Sequence, residues 1–377
     1  MKKAFSNFLF APVLIIAAVS LLGWNEGRAV RTERALNEGL GSVVSLDPAE
    51  LAAAGEGTLV HTTGEVTTSA PLIDPDLGVQ VAGLRLSRSV EMYQWRRHSS
   101  GDEEGASEYR PEWSRTLIDS RNYPAGRENP AQMPVRASSA AATDATIGGL
   151  TLSTEVISRL SGLQSVALTA ADVEAIGTRL GLEEAELAGD ALYLPYGFGS
   201  ATAPQIGDVR VRLEYAPAGT YSLVARRSGQ LLEPFVTSGG TTIAMLRSGN
   251  YSAQAMFDQA LAQNSGFTIM MRVLGFVLCF AGFRLLFSPL TALTGWVPVL
   301  GKLARSGVSI VSALLALGIG ATTVVIAWLT YRPLVALPFL LICVGLIVGG
   351  IVLVRRVRAA GRASVPLTSG PSPALAD

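Results

Sequence analysis

Histidine, cysteine and lysine, which often carry nucleophilic or metal-binding chemistry, are scarce in this 377-residue chain. His61 and His98 belong to no His-x-x-x-His or His-Glu pair, so each is interpreted as a strand or loop residue. Cys279 and Cys343 both lie in long apolar runs, which leaves no disulfide or cysteine metal site elsewhere. Residues 24–266 contain no lysine, which excludes Schiff-base chemistry and a Ser–Lys dyad there. No catalytic residue, metal site or cofactor is therefore predicted.

No aspartate or glutamate occurs from Gln259 to Ala376. This stretch contains three apolar runs of 21 or 22 residues, against the ~20 that an α-helix needs to cross a bilayer core. Because backbone groups in lipid must be hydrogen-bonded internally, these runs are predicted to be helices. They are Phe267–Phe287, Val308–Leu329 and Leu334–Val354. Arg272 and Arg284 lie inside the first run, and we expect their side chains to reach the headgroups.

A fourth apolar run, Phe8–Gly23, follows Lys2 and Lys3 at the N-terminus. This arrangement fits either a signal peptide or a retained membrane helix. The retained helix is favoured because Leu21 and Leu22 carry the run past its small residues. The sequence therefore predicts four membrane spans.

The basic residues next to these spans predict their orientation, because lysine and arginine concentrate in short cytoplasmic loops. They are Lys2, Lys3, Lys302, Arg305, Arg355, Arg356, Arg358 and Arg362. Both termini are then cytoplasmic. The predicted order is an anchor at 1–23, an extracytoplasmic α+β domain at 24–266, a three-helix membrane block at 267–354, and a basic, then disordered, tail at 355–377.

The formal charge of zero hides a division along the chain. Residues 24–266 hold 29 acidic and 19 basic residues, a net charge of −10, and the remainder carries +10. An acidic domain offers no positive field to nucleic acid. Arginine far outnumbers lysine, and alanine and glycine are abundant, which indicates a GC-rich bacterial genome. The predicted location is therefore a bacterial inner membrane.

The inserted domain is predicted to mix strands and helices. Its strands are Gly57–Thr67, Leu84–Arg97, Tyr109–Asp119, Val209–Tyr215, Tyr221–Arg227 and Thr241–Leu246, and its helices are Arg34–Leu46, Thr154–Leu160, Ala170–Leu180 and Ser252–Gln263. Leu84–Arg97 has the clearest alternation, although an apparent slip between Leu86 and Val90 suggests a bulge or a two-sided strand. Thr169, with Asp172 at the third helical position, is predicted to cap its helix.

Acidic pairs give the domain its weak candidates for chemistry. Asp74 and Asp76 flank a proline and are interpreted as solvated, capping residues rather than metal ligands. Asp208 precedes a strand and is expected to cap the turn before it. In the membrane block, Gly345 and Gly349 have the spacing of a close helix contact, either within the chain or between copies.

Five stretches, each in the corresponding order, resemble the LUMA family, also called the transmembrane protein 43 family. They are Asn25-Glu26-Gly27-Arg28-Ala29 after Trp24, Val90-Glu91-Met92-Tyr93-Gln94-Trp95, Asn129-Pro130, Gly207-Asp208-Val209-Arg210 and Tyr331-Arg332-Pro333-Leu334. The resemblance runs from about Gly23 to about Val354. This chain departs from the family in its very short N-terminal arm and its few lysines.

The resemblance implies four spans, a large extracytoplasmic domain between the first two, and self-association into a homo-oligomer. In animals the family is linked to the endoplasmic reticulum, the inner nuclear membrane and the organisation of membrane proteins, so a eukaryotic chain would belong in those membranes. The family has no settled enzymatic activity. Independently, Glu91, Tyr93 and Trp95 alternate and would share one face of a strand, as a recognition patch or as core.

Three hypotheses remain open from the sequence. The leading one is a non-enzymatic scaffold in a bacterial inner membrane, whose partners are membrane lipid and other membrane or envelope proteins. The second is an oligomeric channel or pore formed by the membrane helices. The third is an envelope-associated hydrolase or assembly factor that uses unpaired acids such as Asp74 or Asp208.

Overall fold

A computed structural model describes residues 2–99, 107–290, 298–331 and 333 of the protein. The chain forms two compact units. One contains Met1–Arg34 and Ala260–Asp377, and the other contains Ala35–Gln259. The predicted span Leu334–Val354 lies outside the described residues, as do Arg332, Cys343, Gly345 and Gly349.

The helices of the described chain differ greatly in length. They are α1 (Lys2–Ser42), α2 (Thr154–Ser158), α3 (Ala170–Leu180), α4 (Ala253–Leu286) and α5 (Pro298–Tyr331), with a 3₁₀ helix at Pro48–Ala53. Within the described residues, three helices are long and apolar enough to cross a membrane: Phe8–Ser42, Ala253–Leu286 and Ser306–Tyr331. The protein is thus a membrane protein with a large domain between its first and second apolar helices.

Helix α1 is longer than predicted. Instead of a break after Gly23 and a new helix at Arg34–Leu46, one uninterrupted helix continues to Ser42. The connecting residues, such as Glu26 and Arg28, have good helix propensity, and no proline or capping motif interrupts them. The family stretch at 25–29 is therefore helical.

Small residues let the long helices approach one another closely. A Cβ atom at Gly275 of α4 would lie 2.5 Å from Leu22 Cδ2 of α1, and one at Gly282 would lie 2.6 Å from Ile15 Cγ1. Ala18, Cys279, Phe283 and Ala316 form a buried apolar cluster among α1, α4 and α5. Close packing between small and branched side chains is how apolar helices associate in membranes.

The inserted domain is rich in β structure. Its strands are β1 (Val44–Ser45), β2 (Leu59–Val66), β3 (Leu72–Ile73), β4 (Gln80–Val81), β5 (Gly83–Ser99), β6 (Ser107–Ser114), β7 (Ser138–Ala141), β8 (Thr146–Ile147), β9 (Leu150–Leu152), β10 (Gln164–Ser165), β11 (Glu186–Ala188), β12 (Ala191–Leu194), β13 (Val209–Pro217), β14 (Gly219–Ser228), β15 (Leu231–Glu233), β16 (Phe235–Val236), β17 (Thr242–Ile243) and β18 (Met245–Ser248). The predicted strands are found with shifted ends, except that Thr241–Leu246 is divided between β17 and β18, which belong to different sheets.

Two seven-stranded sheets contain fourteen of these strands, and β3–β4 and β16–β17 form two further pairs. The first has the order β1-β2-β14-β15-β9-β8, with β18 also paired to β14. The second has the order β11-β12-β13-β5-β6, with β7 paired to β5 and β10 to β13. Although β13 and β14 are separated by a short turn, they belong to different sheets. The chain crosses between sheets at Gly219, whose φ of 149° suits glycine.

Each sheet buries its own apolar cluster. One cluster joins β2, β14 and β9 to helix α2, through residues such as Val60, Leu223 and Ile157. The other joins β5, β12 and β13 to helix α3, which contributes Val173 and Ile176. The predicted Thr169–Asp172 capping box at the start of α3 is present, and Gly181 ends the helix in a left-handed conformation.

Strand β5 alternates without a bulge, which was one of the two alternatives that the sequence suggested. The side chains at even positions from Leu84 to Gln94 are all buried, and pairing with β13 continues without a shift from Leu86 to Met92. The apparent slip arose because Arg88 occupies a buried position. In the sequence alone, a charged residue at a buried position looks like a residue on the solvent face, which gives the alternation an apparent shift of one position.

The buried charge of Arg88 is stabilised by two aspartates. Its guanidinium forms ion pairs with Asp74 and Asp76. Asp74 is buried, and its Oδ1 also accepts from the backbone N–H of Leu77 at 2.8 Å. The prediction that Asp74 caps a turn is confirmed, whereas the prediction that it is solvated and unpaired is wrong, because a buried cation requires its charge.

Candidate functional site

The outward face of β5 brings together the three residues selected from its alternation. Glu91, Tyr93 and Trp95 lie on the same face, opposite the buried even positions, and each is partly exposed. We call this surface, with the neighbouring Trp113 and Arg210, the β5 face. Trp113 and Arg210 come from the strands on either side of β5. Trp113 of β6 lies opposite Tyr93, and Arg210 of β13 lies opposite Glu91.

Glu91 is the anionic centre of the β5 face. Arg210 Nε donates to Glu91 Oε2 at 2.5 Å, and Arg115 Nε lies 3.3 Å from Glu91 Oε1. Arg212 Nη1 is 3.5 Å from the same carboxylate. Partial burial raises the pKa of Glu91, but the hydrogen bonds and charges of Arg210 and Arg115 outweigh it and lower the pKa overall. The carboxylate is therefore ionised and fixed in place at neutral pH.

Aromatic rings surround this charged centre. The Tyr93 and Trp113 ring centroids are 5.2 Å apart, and those of Trp113 and Tyr193 are 6.3 Å apart with nearly perpendicular planes. The Arg210 guanidinium carbon lies 4.5 Å from the Trp113 ring centroid. Aromatic and cation–π geometry of this kind orders side chains while leaving ring surface accessible.

Trp95 is held by the segment that contains Arg127 and Asn129. The Arg127 guanidinium carbon lies 4.2 Å from the Trp95 ring centroid. The Asn129 side chain accepts from Trp95 N at 2.7 Å and donates to Trp95 O at 3.0 Å. One amide thus bonds both backbone groups of Trp95, as a neighbouring strand would. This gives a physical role to the Asn129-Pro130 stretch.

Gly207 and Asp208 fasten the same edge of β5 two residues earlier, at Tyr93. The backbone O of Asp208 accepts from Tyr93 N at 2.8 Å, and Gly207 N donates to Tyr93 O at 2.9 Å. The Asp208 carboxylate is fully buried, and Tyr193 Oη donates to it. Burial and this hydrogen bond raise the pKa of Tyr193, so its phenol stays protonated. Asp208 was expected to cap a turn, and it does, but it is not unpaired.

Three stretches that are far apart in the sequence therefore converge on β5. Residues 91–95 supply the face, while Asn129-Pro130 and Gly207-Asp208 bond to its backbone at Trp95 and Tyr93. Beside them lies a cleft of about 550 Å³, lined by Leu117, Ile118, Asp119, Ser120, Arg121, Tyr123, Glu128, Asn129, Pro130 and Ala131. The cleft is large enough for a few side chains of a ligand.

The helical unit contains a second polar cluster. Arg272 Nε and Nη2 of α4 donate to the two carboxylate oxygens of Glu26 of α1, at 2.6 and 2.8 Å. Trp328 Nε1 of α5 donates to Glu26 Oε2 at 2.9 Å. Arg272, which was expected to reach the headgroups, is thus paired with a buried carboxylate within the bundle, and its side chain is 31% exposed. Arg284 Nη1 donates to Ser309 Oγ at 2.6 Å.

The other residues of the 25–28 stretch also join the helices. Asn25 Nδ2 donates to Thr268 O at 3.1 Å, and Arg28 donates to Asn264 Oδ1 at 2.9 Å. A Cβ atom at Gly27 would lie 2.8 Å from the Tyr331 ring, so glycine permits that close approach. Hydrogen bonding between helices is an expected means of association in an apolar setting.

Sequence reasoning missed several residues that complete these clusters. Trp113 contacts Tyr93, Tyr193 contacts Trp113, and Arg127 contacts Trp95. These three residues come from separate segments, and no local pattern indicates the contacts. Within the part of the chain that the structure describes, no group of three or more His, Cys, Asp or Glu side chains is placed to hold a metal ion.

Comparison with known proteins gives a consistent result. The sequence model of a family described as Transmembrane protein 43 matches residues 92–333. A protein of that name from Pongo abelii is 34% identical over 343 residues, which cover 84% of this chain and 82% of the relative. The Homo sapiens protein of that name is 33% identical over 343 residues, with the same shares covered.

A more distant relative extends the comparison to insects. The Transmembrane protein 43 homolog of Drosophila melanogaster is 29% identical over 354 residues, which cover 88% of this chain and 91% of the relative. No solved structure matches the chain.

Proposed function

Because this chain belongs to the transmembrane protein 43 family, we propose that it is a non-enzymatic membrane scaffold. On this proposal its apolar helices hold the β-rich domain at a membrane, and the β5 face recognises other membrane or envelope proteins. The observation that carries the proposal is the convergence of three distant stretches on β5. Together they fix a mixed surface of Glu91, Tyr93 and Trp95 that leaves rings and charge accessible.

The composition of the β5 face supports recognition of protein. Tyrosine, tryptophan and arginine are the residues most enriched in the energetically dominant parts of interfaces. Here they are already ordered by their neighbours, since Arg210 contacts both Glu91 and Trp113. Such preorganisation lowers the entropy that association would otherwise lose.

The environment of the acids also favours a scaffold over an acid-base hydrolase. Asp74 bonds to Arg88 and to turn N–H groups, and Asp208 accepts from Tyr193, Gly197 and Gln205. A carboxylate whose lone pairs are all engaged in fold contacts is poorly placed to activate water. Both acids, which the hydrolase hypothesis required to be unpaired, serve the fold instead.

We further propose a bacterial inner membrane as the location, with both termini cytoplasmic and residues 24–266 outside. The support is the distribution of lysine and arginine around the apolar runs, together with a composition typical of a GC-rich genome. Self-association, with membrane lipid as a further partner, belongs to the same proposal. Its support is the family resemblance and the Gly345–Gly349 spacing.

Affinity purification tests the proposed recognition. The tagged full chain is isolated from gently solubilised native membranes, and wild type is compared with Trp95→Ala and Trp95→Phe. If Trp95 is an interface anchor, we expect Trp95→Ala to lower recovery of a stoichiometric partner by about 30-fold, which corresponds to ~2 kcal/mol. Trp95→Phe keeps a ring beside Arg127 and serves as the matched control, with a loss of about threefold or less.

Two outcomes would contradict the scaffold. Turnover of a defined lipid or peptide by the purified protein would assign it an enzymatic function. A homo-oligomer that carries only lipid and conducts ions in liposomes would favour the channel hypothesis. Circular dichroism of Trp95→Ala must match the wild type, so that loss of partner is not loss of fold.

A further inference from the structure

Phe198 is an aromatic side chain that the fold holds in solvent. It is 96% exposed. It lies in the loop between β12 and β13, and its backbone φ is 62°. Among the residues that the structure describes, it is the single non-glycine residue with a positive φ. Left-handed backbone is unfavourable for a bulky side chain, so the loop keeps Phe198 in a strained conformation without burying it.

The strain is maintained by the loop around Phe198. Gly197 N and Gln205 N donate to the two carboxylate oxygens of the buried Asp208, both at 2.6 Å. A Cβ atom at Gly197 or Gly199 would collide with Ile206 O or with the Asp208 carboxylate, respectively. The loop is thus fixed from both sides of Phe198 by one buried acid.

A second set of bonds fixes the far side of the loop. Ser200 and Ala203 exchange backbone hydrogen bonds at 3.2 and 3.0 Å. Ala201 N donates to Glu186 Oε1 of β11 at 2.8 Å. A loop with this many constraints presents its tip in one position, whereas an incidental exposed side chain needs no such support. Strained residues that the surroundings over-determine occur most often at functional sites.

The charge around the loop indicates what kind of surface Phe198 would enter. Between Leu180 and Val209 the chain has five acidic residues and no lysine or arginine. Asp208 is buried and Asp190 pairs with Arg212, which leaves three acids to set the charge of the surface. Glu183, Glu184 and Glu186 are exposed. Anionic lipid headgroups would repel this segment, and loops that insert into such membranes usually carry basic residues beside the aromatic one. An apolar pocket bordered by positive charge complements it instead.

We propose that Phe198 is the anchor of a docking site for a protein partner, different from this chain, whose apolar pocket is bordered by lysine or arginine. This rests on the scaffold function proposed above and specifies the chemistry of the partner. A rigid aromatic side chain that enters a pocket is a common form of interface anchor. Asp208 positions the loop and also bonds to β5, so the same buried acid supports both recognition surfaces.

Photocrosslinking of the full chain in native membranes tests this proposal. The photoreactive amino acid p-benzoylphenylalanine is placed at residue 198, at residue 95 on the β5 face, or at residue 231 as control. Leu231 is an exposed apolar residue of the other sheet. We expect a protein adduct at 198 whose crosslinked peptide contains apolar residues beside lysine or arginine. Its yield should fall several-fold as NaCl rises from about 50 to about 500 mM, because added salt screens charge.

The other adducts have definite meanings. A lipid adduct, an adduct with another copy of this chain, or no adduct at 198 would overturn the anchor. In those cases a protein adduct at residue 95 would still support the scaffold function. If residue 95 also gave no protein adduct, both the scaffold function and the Phe198 anchor would be excluded. An adduct of equal yield at 231 would show nonspecific capture and overturn the anchor as well.

A stability measurement separates this role from a structural one. Asparagine tolerates a left-handed backbone, so Phe198→Asn should leave the unfolding midpoint of the full chain unchanged or raise it by about 2–4 °C. It should also lower copurification of the crosslinked partner by tenfold or more, while Leu231→Asn does not. A midpoint that falls by several degrees would assign Phe198 to the fold and overturn the proposal.

Discussion

Two glutamates from the stretches shared with the family, Glu26 and Glu91, both pair with arginine but in different surroundings. The Glu26 side chain is 2% exposed, between apolar helices, and receives two hydrogen bonds from Arg272 and one from Trp328. The Glu91 side chain is 14% exposed, on a sheet face, and shares its charge among three arginines. The Glu26 carboxylate is sequestered, whereas the Glu91 carboxylate keeps some contact with solvent; their partners Arg272 and Arg210 are each 31% exposed.

The comparison shows that the role of a Glu–Arg ion pair depends on how far the pair is removed from water. A charge removed from water is stabilised only by its partner, so loss of that partner is severe. A charge at a partly exposed face keeps some hydration, so its pair contributes less to stability and remains in reach of a ligand. We therefore assign Glu26 to holding helices together and Glu91 to the recognition surface.

The largest expected effect comes from breaking the Glu26 pair. Glu26→Ala should destabilise the helical unit by about 3 kcal/mol, because Arg272 then keeps its charge without a counterion. The unfolding midpoint of the full chain in detergent micelles measures this effect. The double variant Glu26→Met with Arg272→Met is the control, since an apolar pair of similar volume should recover most of the loss. If the double variant is no more stable than Glu26→Ala, the unpaired charge of Arg272 is not the cause of the destabilisation.

A smaller effect should follow from filling the space at Gly27. Gly27→Leu places a side chain against the Tyr331 ring and should destabilise the unit by about 1–3 kcal/mol, as overpacking does. Tyr331→Ala introduced with Gly27→Leu should restore much of the midpoint, because it removes the obstacle. An equal loss in the single and double variants would place the collision elsewhere.

The smallest effect should come from Glu91. Because its pKa is lowered in the folded protein, the ionised carboxylate adds stability above its unfolded pKa of about 4.3. That contribution declines as the pH falls through the window between the two pKa values and is absent below the lowered one. Glu91→Gln should therefore reduce stability by about 1 kcal/mol or less at pH 7, and the reduction should vanish once the pH lies below the lowered pKa. Denaturant titrations at several pH values give the profile, and a constant difference would exclude the linkage.

The parts of the fold that the sequence predicted are those with a strong local pattern. Strand β5 alternates over many residues, and the capping box of α3 lies within four residues, so both were identified. The two-residue strands, such as β10 and β16, are too short for any period to show. The sequence also did not show which sheet each strand belongs to. The short turn before Gly219 suggests that β13 and β14 form a hairpin, but these two strands lie in different sheets.

The candidate sites divide in the same way. Glu91, Tyr93 and Trp95 were found because their spacing alone places them on one face. The pairing of Glu26 with Arg272 joins residues 246 positions apart, and no single-sequence pattern reports such a contact. Arg88 was misinterpreted because a buried charge looks like a solvated one until its acids are seen.

The Asn129 amide has a consequence for the solubility of the protein. Strand β13 begins at Val209, opposite Met92, so the remaining half of β5 extends beyond it. Unpaired N–H and C=O groups on such an extension invite the strand of another molecule and promote aggregation. The Asn129 side chain bonds both backbone groups of Trp95 on this edge, and Arg97 N donates to Tyr123 Oη at 3.3 Å further along. We therefore expect Asn129 to limit strand pairing between molecules at this edge.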